Sequence, residues 1–103
     1  MEHLTYVFKG GTRTLARQAD VVGVVGSGNL EVLIESAPLE GDCSIAIATA
    51  AEGFGAIWEA VMTDFQARWQ LRDARIAIND MGATPAVVSL RLDQAVETML
   101  EAR

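Results

Sequence analysis

Between Val21 and Ile34 the sequence reads Val-Val-Gly-Val-Val-Gly-Ser-Gly-Asn-Leu-Glu-Val-Leu-Ile, two apolar runs joined by a short segment of glycine, serine and asparagine. β-Branched residues favour pleated strands, and glycine and asparagine accept the positive φ angles that tight turns require. The stretch therefore predicts a β-hairpin with Ser27 at its tip. Three turns are compatible with it: Ser27-Gly28, Gly28-Asn29, or the four residues from Gly26 to Asn29. Each puts Val21, Gly23 and Val25 on one face with Leu30, Val32 and Ile34, and Val22 and Val24 on the other with Glu31 and Leu33. Apolar residues on both faces predict that one side packs against helices and that the other is partly covered.

The segments around the hairpin predict the remaining elements. Leu4 to Phe8 alternates with Leu4, Tyr6 and Phe8 on one face, which predicts a first strand ended by Gly10-Gly11. From there to Asp20 the chain is polar and reads as a solvated loop, with Arg13 to Ala16 lying extended on a sheet edge. Pro38 and Gly41 punctuate a turn, and Cys43, Ile45 and Ile47 then alternate with small residues in another strand. Phe54, Ile57, Trp58, Val61, Met62, Phe65 and Trp69 fall on one stripe at helical spacing, with Asp64 and Arg68 forming an i,i+4 pair off it. Both tryptophans on this stripe are expected in the core rather than in a ligand box. Arg72-Asp73 closes the following turn, and Ala74 to Asn79 returns as a strand with Ile76 and Ile78 inward. Thr84-Pro85 starts a second helix as N-cap and first helical residue, with Val88, Leu92, Ala95, Val96 and Met99 as its stripe. A strand over Val87 to Leu92 is the competing reading.

About five strands and two helices in this order predict an α+β two-layer sandwich, a mainly antiparallel sheet with the helices on one face. The 103 residues are enough for one domain with a core of its own, spanning residues 1–103. The charge of −6 disfavours nucleic acid and suits solubility or docking to cationic partner surfaces. Neither an export signal nor a membrane-spanning run is visible, and the single Cys43 fits a reducing, cytoplasmic setting.

Chemistry by the chain's own side chains has little to work with. Ser27 lacks the G-x-S-x-G context of a hydrolase elbow, and the sole histidine, His3, stands at a chain end. Gly23, Gly26 and Gly28 match neither a dinucleotide fingerprint nor a P-loop. No transition-metal set is recognisable, and Glu31 and Glu35 read as a solvated strand face.

The run from Val21 to Ile34, taken with Asn79-Asp-Met-Gly-Ala-Thr-Pro-Ala-Val-Val-Ser-Leu-Arg-Leu92, resembles the acyl carrier, or δ, subunit of malonate decarboxylase. Asn29 stands where that family is associated with aspartate after Gly-Ser-Gly, and a carboxamide keeps the turn preference. The resemblance implies that Ser27, flanked by Gly26 and Gly28, carries 2'-(5''-phosphoribosyl)-3'-dephospho-CoA through a phosphodiester installed by a dedicated transferase. It further implies acetyl and malonyl thioesters on that group, and as partners an α subunit that transfers acyl groups and β and γ subunits that decarboxylate. The carrier itself would be a non-catalytic subunit. A citrate lyase-type carrier is the alternative within this class, although its Leu-Glu-Ser-Ser-Asp-like attachment context is missing. An acidic interaction module in which Ser27 is never modified is the alternative outside it. If the basic segment lies near the tip, Lys9, Arg13 and Arg17 are expected to contact the arm's phosphates.

Overall fold

The computed structural model describes residues 1–15, 19–22 and 29–100. In chain order the strands are β1 (Glu2–Phe8), β2 (Arg13–Thr14), β3 (Ala19–Val22), β4 (Leu30–Ser36) and β5 (Cys43–Thr49). Helix α1 (Gly55–Trp69), β6 (Leu71–Arg72), β7 (Ala74–Asp80) and α2 (Pro85–Leu100) follow. Five strands form one sheet in the order β1-β5-β7-β4-β3, in which only the β5–β7 pair is parallel. The expected α+β two-layer arrangement with a mainly antiparallel sheet is what the chain forms.

The register lines up apolar residues in rows across the sheet. Tyr6, Ile45, Ile76 and Ile34 stand abreast, as do Leu4, Ile47, Ile78 and Val32. These rows face the helices. Trp58, Met62 and Phe65 of α1 and Val88, Leu92, Ala95, Val96 and Met99 of α2 close the same core. On the other face the row Thr5, Ala46, Ala77, Leu33 is made of small or half-exposed side chains, flanked by a Glu35–Arg75 pair at 3.1 Å. No helix among the described residues lies on that face, so the expectation that it is partly covered holds only for residues half-buried by their own neighbours.

Two local expectations are corrected. The β3–β4 register pairs Val21 with Leu33 and Val22 with Val32. All three turns considered for the hairpin would shift this pairing by an odd number of residues, placing Val21 on the face of Val32 and Ile34. Strand period is two, so the face partners are exchanged. Arg13 and Thr14, for their part, do not lie on an edge of the main sheet. They pair in parallel with Leu71 and Arg72 in a separate two-stranded ladder.

That small ladder rests on a close approach of backbones. A Cβ on Gly11 would stand 1.9 Å from the carbonyl oxygen of Leu71, so only glycine fits. Gln70 ends α1 in the left-handed conformation at φ 52°, and its carbonyl accepts from the backbone N–H groups of Thr12 and Arg13, both at 2.8 Å. Buried Gln66 clasps Leu71 by donating to its carbonyl at 2.8 Å and accepting from its N–H at 3.3 Å. Asp73, also at positive φ, accepts from Leu39 N–H and Gly41 N–H, and those backbone bonds, Gly41's first, hold its carboxyl below the usual range.

The helices follow their sequence signals at the second element more closely than at the first. All five predicted stripe residues of α2 are buried, the strand alternative does not form, and Thr84 Oγ1 accepts from Val87 N–H at 3.3 Å as an N-cap should. Arg68 bonds Asp64 as expected and also Asp93 of α2 at 2.8 Å, while the Trp69 indole donates to the same carboxylate. In α1, Phe54 and Ile57 are about half exposed, at 47% and 46%, although both belong to the apolar stripe.

Replacing Gly11 by alanine is expected to lower stability by about 1–3 kcal/mol, as over-packing does. Urea unfolding checks this, and a midpoint equal to wild type would refute the close approach.

Candidate functional site

The strand directions sort the molecule into two ends. Leu30 at the start of β4, Thr49 at the end of β5 and Asp80 at the end of β7 are in register, and β3 runs toward this end to stop at Val22. Both helices also begin here, because α1 follows β5 and α2 follows β7 through short connections.

A single carboxylate organises those connections. Asp80, 2% exposed, accepts from the Thr49 hydroxyl at 2.8 Å, from Ala83 N–H at 2.8 Å and from Gly82 N–H at 3.2 Å. Thr49 Oγ1 in turn accepts from Ala51 N–H at 3.2 Å. The Asp80 carbonyl takes Ala50 N–H at 2.9 Å, and Met81 N–H donates to the Asn29 carbonyl at 2.8 Å. A buried charge of this kind is tolerable only because donors surround it. The result is that the loops after β5 and β7, and the first residue before β4, are tied into one unit.

Between the N-terminal halves of the two helices lies a groove of about 260 Å³. Phe54, the N-cap of α1, lines it with Ile57, Trp58 and Val61 of that helix, and Ala83, just before α2, with Pro85 and Val88 of α2, while Ala51, Gly82 and Asp80 complete the lining. Trp58 is thus a core residue, 6% exposed, that also forms a wall of the groove. Half-exposed Phe54 and Ile57 edge it, and Met81 beside it is 58% exposed. The α1 N-terminus has no side-chain cap, and neither helix has an acidic residue in its first turn. Free N–H groups at such a terminus favour anions.

Of the residues singled out from the sequence, Ser27, Gly26 and Gly28 lie outside the described residues. In the chain Ser27 stands two residues before Asn29. The basic side chains are elsewhere. Lys9 follows Phe8, which is level with Cys43 and Ala74, six residue steps and about 20 Å along the strands from the end where β4 begins. Its ammonium pairs with Asp42 at 2.9 Å. The Arg13 guanidinium stands 5.6 Å over the ring of Trp69 at the far end of α1. The register sends β1 and β3 to opposite ends, so Lys9 and Arg13 stand away from the end where β4 begins, and the tip they were expected to approach lies outside the described residues. Arg17 lies outside the described residues.

His3 is exposed on β1. Cys43 is fully buried, and burial pushes its thiol up to about 12, which leaves it protonated and unreactive at neutral pH. Among the described residues no three His, Cys, Asp or Glu side chains gather as a metal site, and no helix is long and apolar enough to cross a membrane. The groove itself was not legible from spacing, since its walls come from two helices and a loop. Its signal is the apolar stripe of α1, which begins one turn earlier than the core requires.

The class thus defined is an α+β domain with a ligand-sized apolar groove at the end where the serine-bearing segment is rooted. The model of the malonate decarboxylase delta subunit (MdcD) family matches residues 17–99. A malonate decarboxylase acyl carrier protein of Stenotrophomonas maltophilia (strain K279a) is 60% identical over 101 residues, covering 97% of this chain and 95% of that protein. Its counterpart in Xanthomonas euvesicatoria pv. vesicatoria (strain 85-10) is 63% identical over 96% of this chain and 95% of its own length. Among solved structures, a chain of a Pseudomonas malonate decarboxylase hetero-tetramer in complex with malonate superposes with a TM-score of 0.80 at 37% identity, covering 96% of this chain and 99% of that one. The chain belongs to the malonate decarboxylase delta subunit family.

Changing Asp80 to alanine should cost about 1.5–3 kcal/mol, the range for hydrogen bonds to a charged group. It should also speed amide exchange at Gly82 and Ala83; unchanged exchange there would show that the carboxylate does not hold the loop. For Cys43 the unfolded chain can ionise near ~8.5 while the folded chain cannot until about 12. The folded-state pKa being the higher one, stability is intact below ~8.5 and declines as pH rises toward 12. Unfolding curves of wild type and Cys43→Ala over that window, with the steeper decline in wild type, check the sign.

Proposed function

We propose that this chain is the acyl carrier subunit of a cytoplasmic malonate decarboxylase complex, a single acyl-carrier-type domain over residues 1–103. Ser27 would bear 2'-(5''-phosphoribosyl)-3'-dephospho-CoA through a phosphodiester. The observation that carries this reading is the family match over residues 17–99, a span that contains Ser27 and both its glycines. When bound, the group supplies a thiol that holds acetyl or malonyl as a thioester. The partners in this reading are the acyl-transferring α subunit, the decarboxylating β and γ subunits, and the transferase that installs the group.

The described residues suit such a group. An apolar groove and an uncapped helix terminus stand at the end where the segment bearing Ser27 is rooted. One matches the apolar stretches of the group's pantetheine chain and the other the phosphates of its nucleotide part. The chain's own tasks are then positional. Ser27 offers its hydroxyl oxygen as the attachment atom, and Gly26 and Gly28 bring no side chains to obstruct an incoming active site. Asn29, through its carbonyl on Met81 N–H, fixes the root of the segment to the loop that Asp80 holds. A tether on a rigid root keeps the carried group at high effective concentration near docked partners. Cys43 takes no part, being buried and protonated.

Intact mass of the protein co-expressed with the biosynthetic enzymes tests this. A nucleotide-sized increment in wild type that is absent in Ser27→Ala is expected. Wild type without the increment, or the alanine variant with it, would sink the assignment.

A further inference from the structure

We infer that the groove between the N-terminal halves of α1 and α2 is the resting berth of the acetyl-loaded end of the arm, and that it turns the malonyl-loaded end away. The inference rests on the carrier reading of Ser27 and goes beyond it by assigning side chains of this chain to one of the two loads.

Position comes first. Ser27 stands two residues before Asn29 in the chain, and the Asn29 carbonyl is bonded to Met81 N–H, between Asp80 and Gly82 of the groove's end. The tether therefore roots the arm at the end of the molecule where the groove lies.

Chemistry then selects the load. Among the described residues the lining is apolar apart from Asp80, and no lysine, arginine or histidine belongs to it. An acetyl thioester brings a methyl group and a weakly polar sulfur, which gain from leaving water. A malonyl thioester brings a carboxylate. In the groove that carboxylate would lose its hydration with no cationic side chain among the described residues to meet it, the free N–H groups of α1 being given to the arm's phosphates in the carrier reading, and it would stand beside Asp80, whose two oxygens are already engaged by Thr49, Gly82 and Ala83. Burying such a charge unpaired is among the costliest moves available. Acetyl is therefore sheltered and malonyl is left in solvent, where a decarboxylating partner can reach it.

A group berthed nine-tenths of the time reacts with solvent nucleophiles roughly tenfold more slowly than a free one, since only the unberthed tenth is exposed. The experiment uses the full chain carrying its arm, verified by intact mass and loaded with ¹³C-acetyl or ¹³C-malonyl. Expected are nuclear Overhauser contacts from the acetyl methyl to the methyls of Ile57 and Val88, and none from the malonyl methylene. Cleavage of the acetyl thioester by hydroxylamine should be accelerated severalfold in Ile57→Asp, with malonyl cleavage unchanged; Ile57 is half exposed, so the fold survives the change. Verified arm with no acetyl contacts, or equal acetyl cleavage in both proteins, overturns the berth. Equal contacts from both loads overturn the selection. Shifts at Ile57 and Val88 that arise only on adding the other subunits, and equally without the arm, would give the groove to a partner side chain and overturn the inference. An absent mass increment is a separate result that removes the carrier reading itself.

Discussion

The parallel pairing of β5 with β7 is the constraint from which the arrangement of this molecule follows. Two strands that run the same way side by side cannot be joined by a tight turn, so the chain must travel back along the sheet between them. Helix α1 makes that return. Its direction is thereby set against the strands, and it starts at the end where β5 and β7 finish. Because β4 pairs with the other edge of β7 in the opposite sense, β4 begins at that same end. The two helix N-termini, the loops around Asp80 and the root of the segment bearing Ser27 are gathered together by this one pairing.

Much of this was legible in the residues because burial imposes a period. The rows through Ile45, Ile76 and Ile34, and the stripe of α2, are read directly from spacing, since each element hides one face only. The direction of strand pairing leaves no such trace. Alternation is the same in parallel and antiparallel neighbours, so the β5–β7 pair could not be distinguished from a further antiparallel one. Register in the hairpin failed for a related reason. Val21 and Val22 are both valines, and with the same side chain at both positions composition cannot say which stands opposite Val32. Gly11, which ends a strand in the sequence, is needed instead for its approach to Leu71 from sixty residues away, a reason no local pattern contains.

The candidate site divides in the same manner. Ser27 stands out by elimination and by family resemblance, and the family match spans it. The groove had only an indirect sign, Phe54 and Ile57, apolar residues on a helical stripe that the core leaves half exposed. Helical period predicts which residues share a face, but not how far along the helix the neighbouring layer reaches. Asp80 falls within one of the two stretches that carry the family resemblance, whereas its role as the shared acceptor of two loops depends on β5 and β7 ending level. The placement of Lys9 and Arg13 away from the start of β4 also follows from strand direction, which charge along the sequence does not reveal.

The order of strands has a kinetic side. Of the four pairings in the main sheet, β3–β4 joins neighbours in the chain; β1–β5, β4–β7 and β5–β7 each close a long stretch of sequence. Non-local pairings must surrender loop entropy before any hydrogen bond or buried isoleucine compensates for it, and chains dominated by them fold more slowly than helical bundles of equal length. The local β3–β4 pairing is open to the chain before the rest of the sheet is assembled, but its core face stays without partners until β7 and α2 arrive. In a newly made chain both strands that flank the segment bearing Ser27 are therefore complete before the residues that wall the groove have been synthesised.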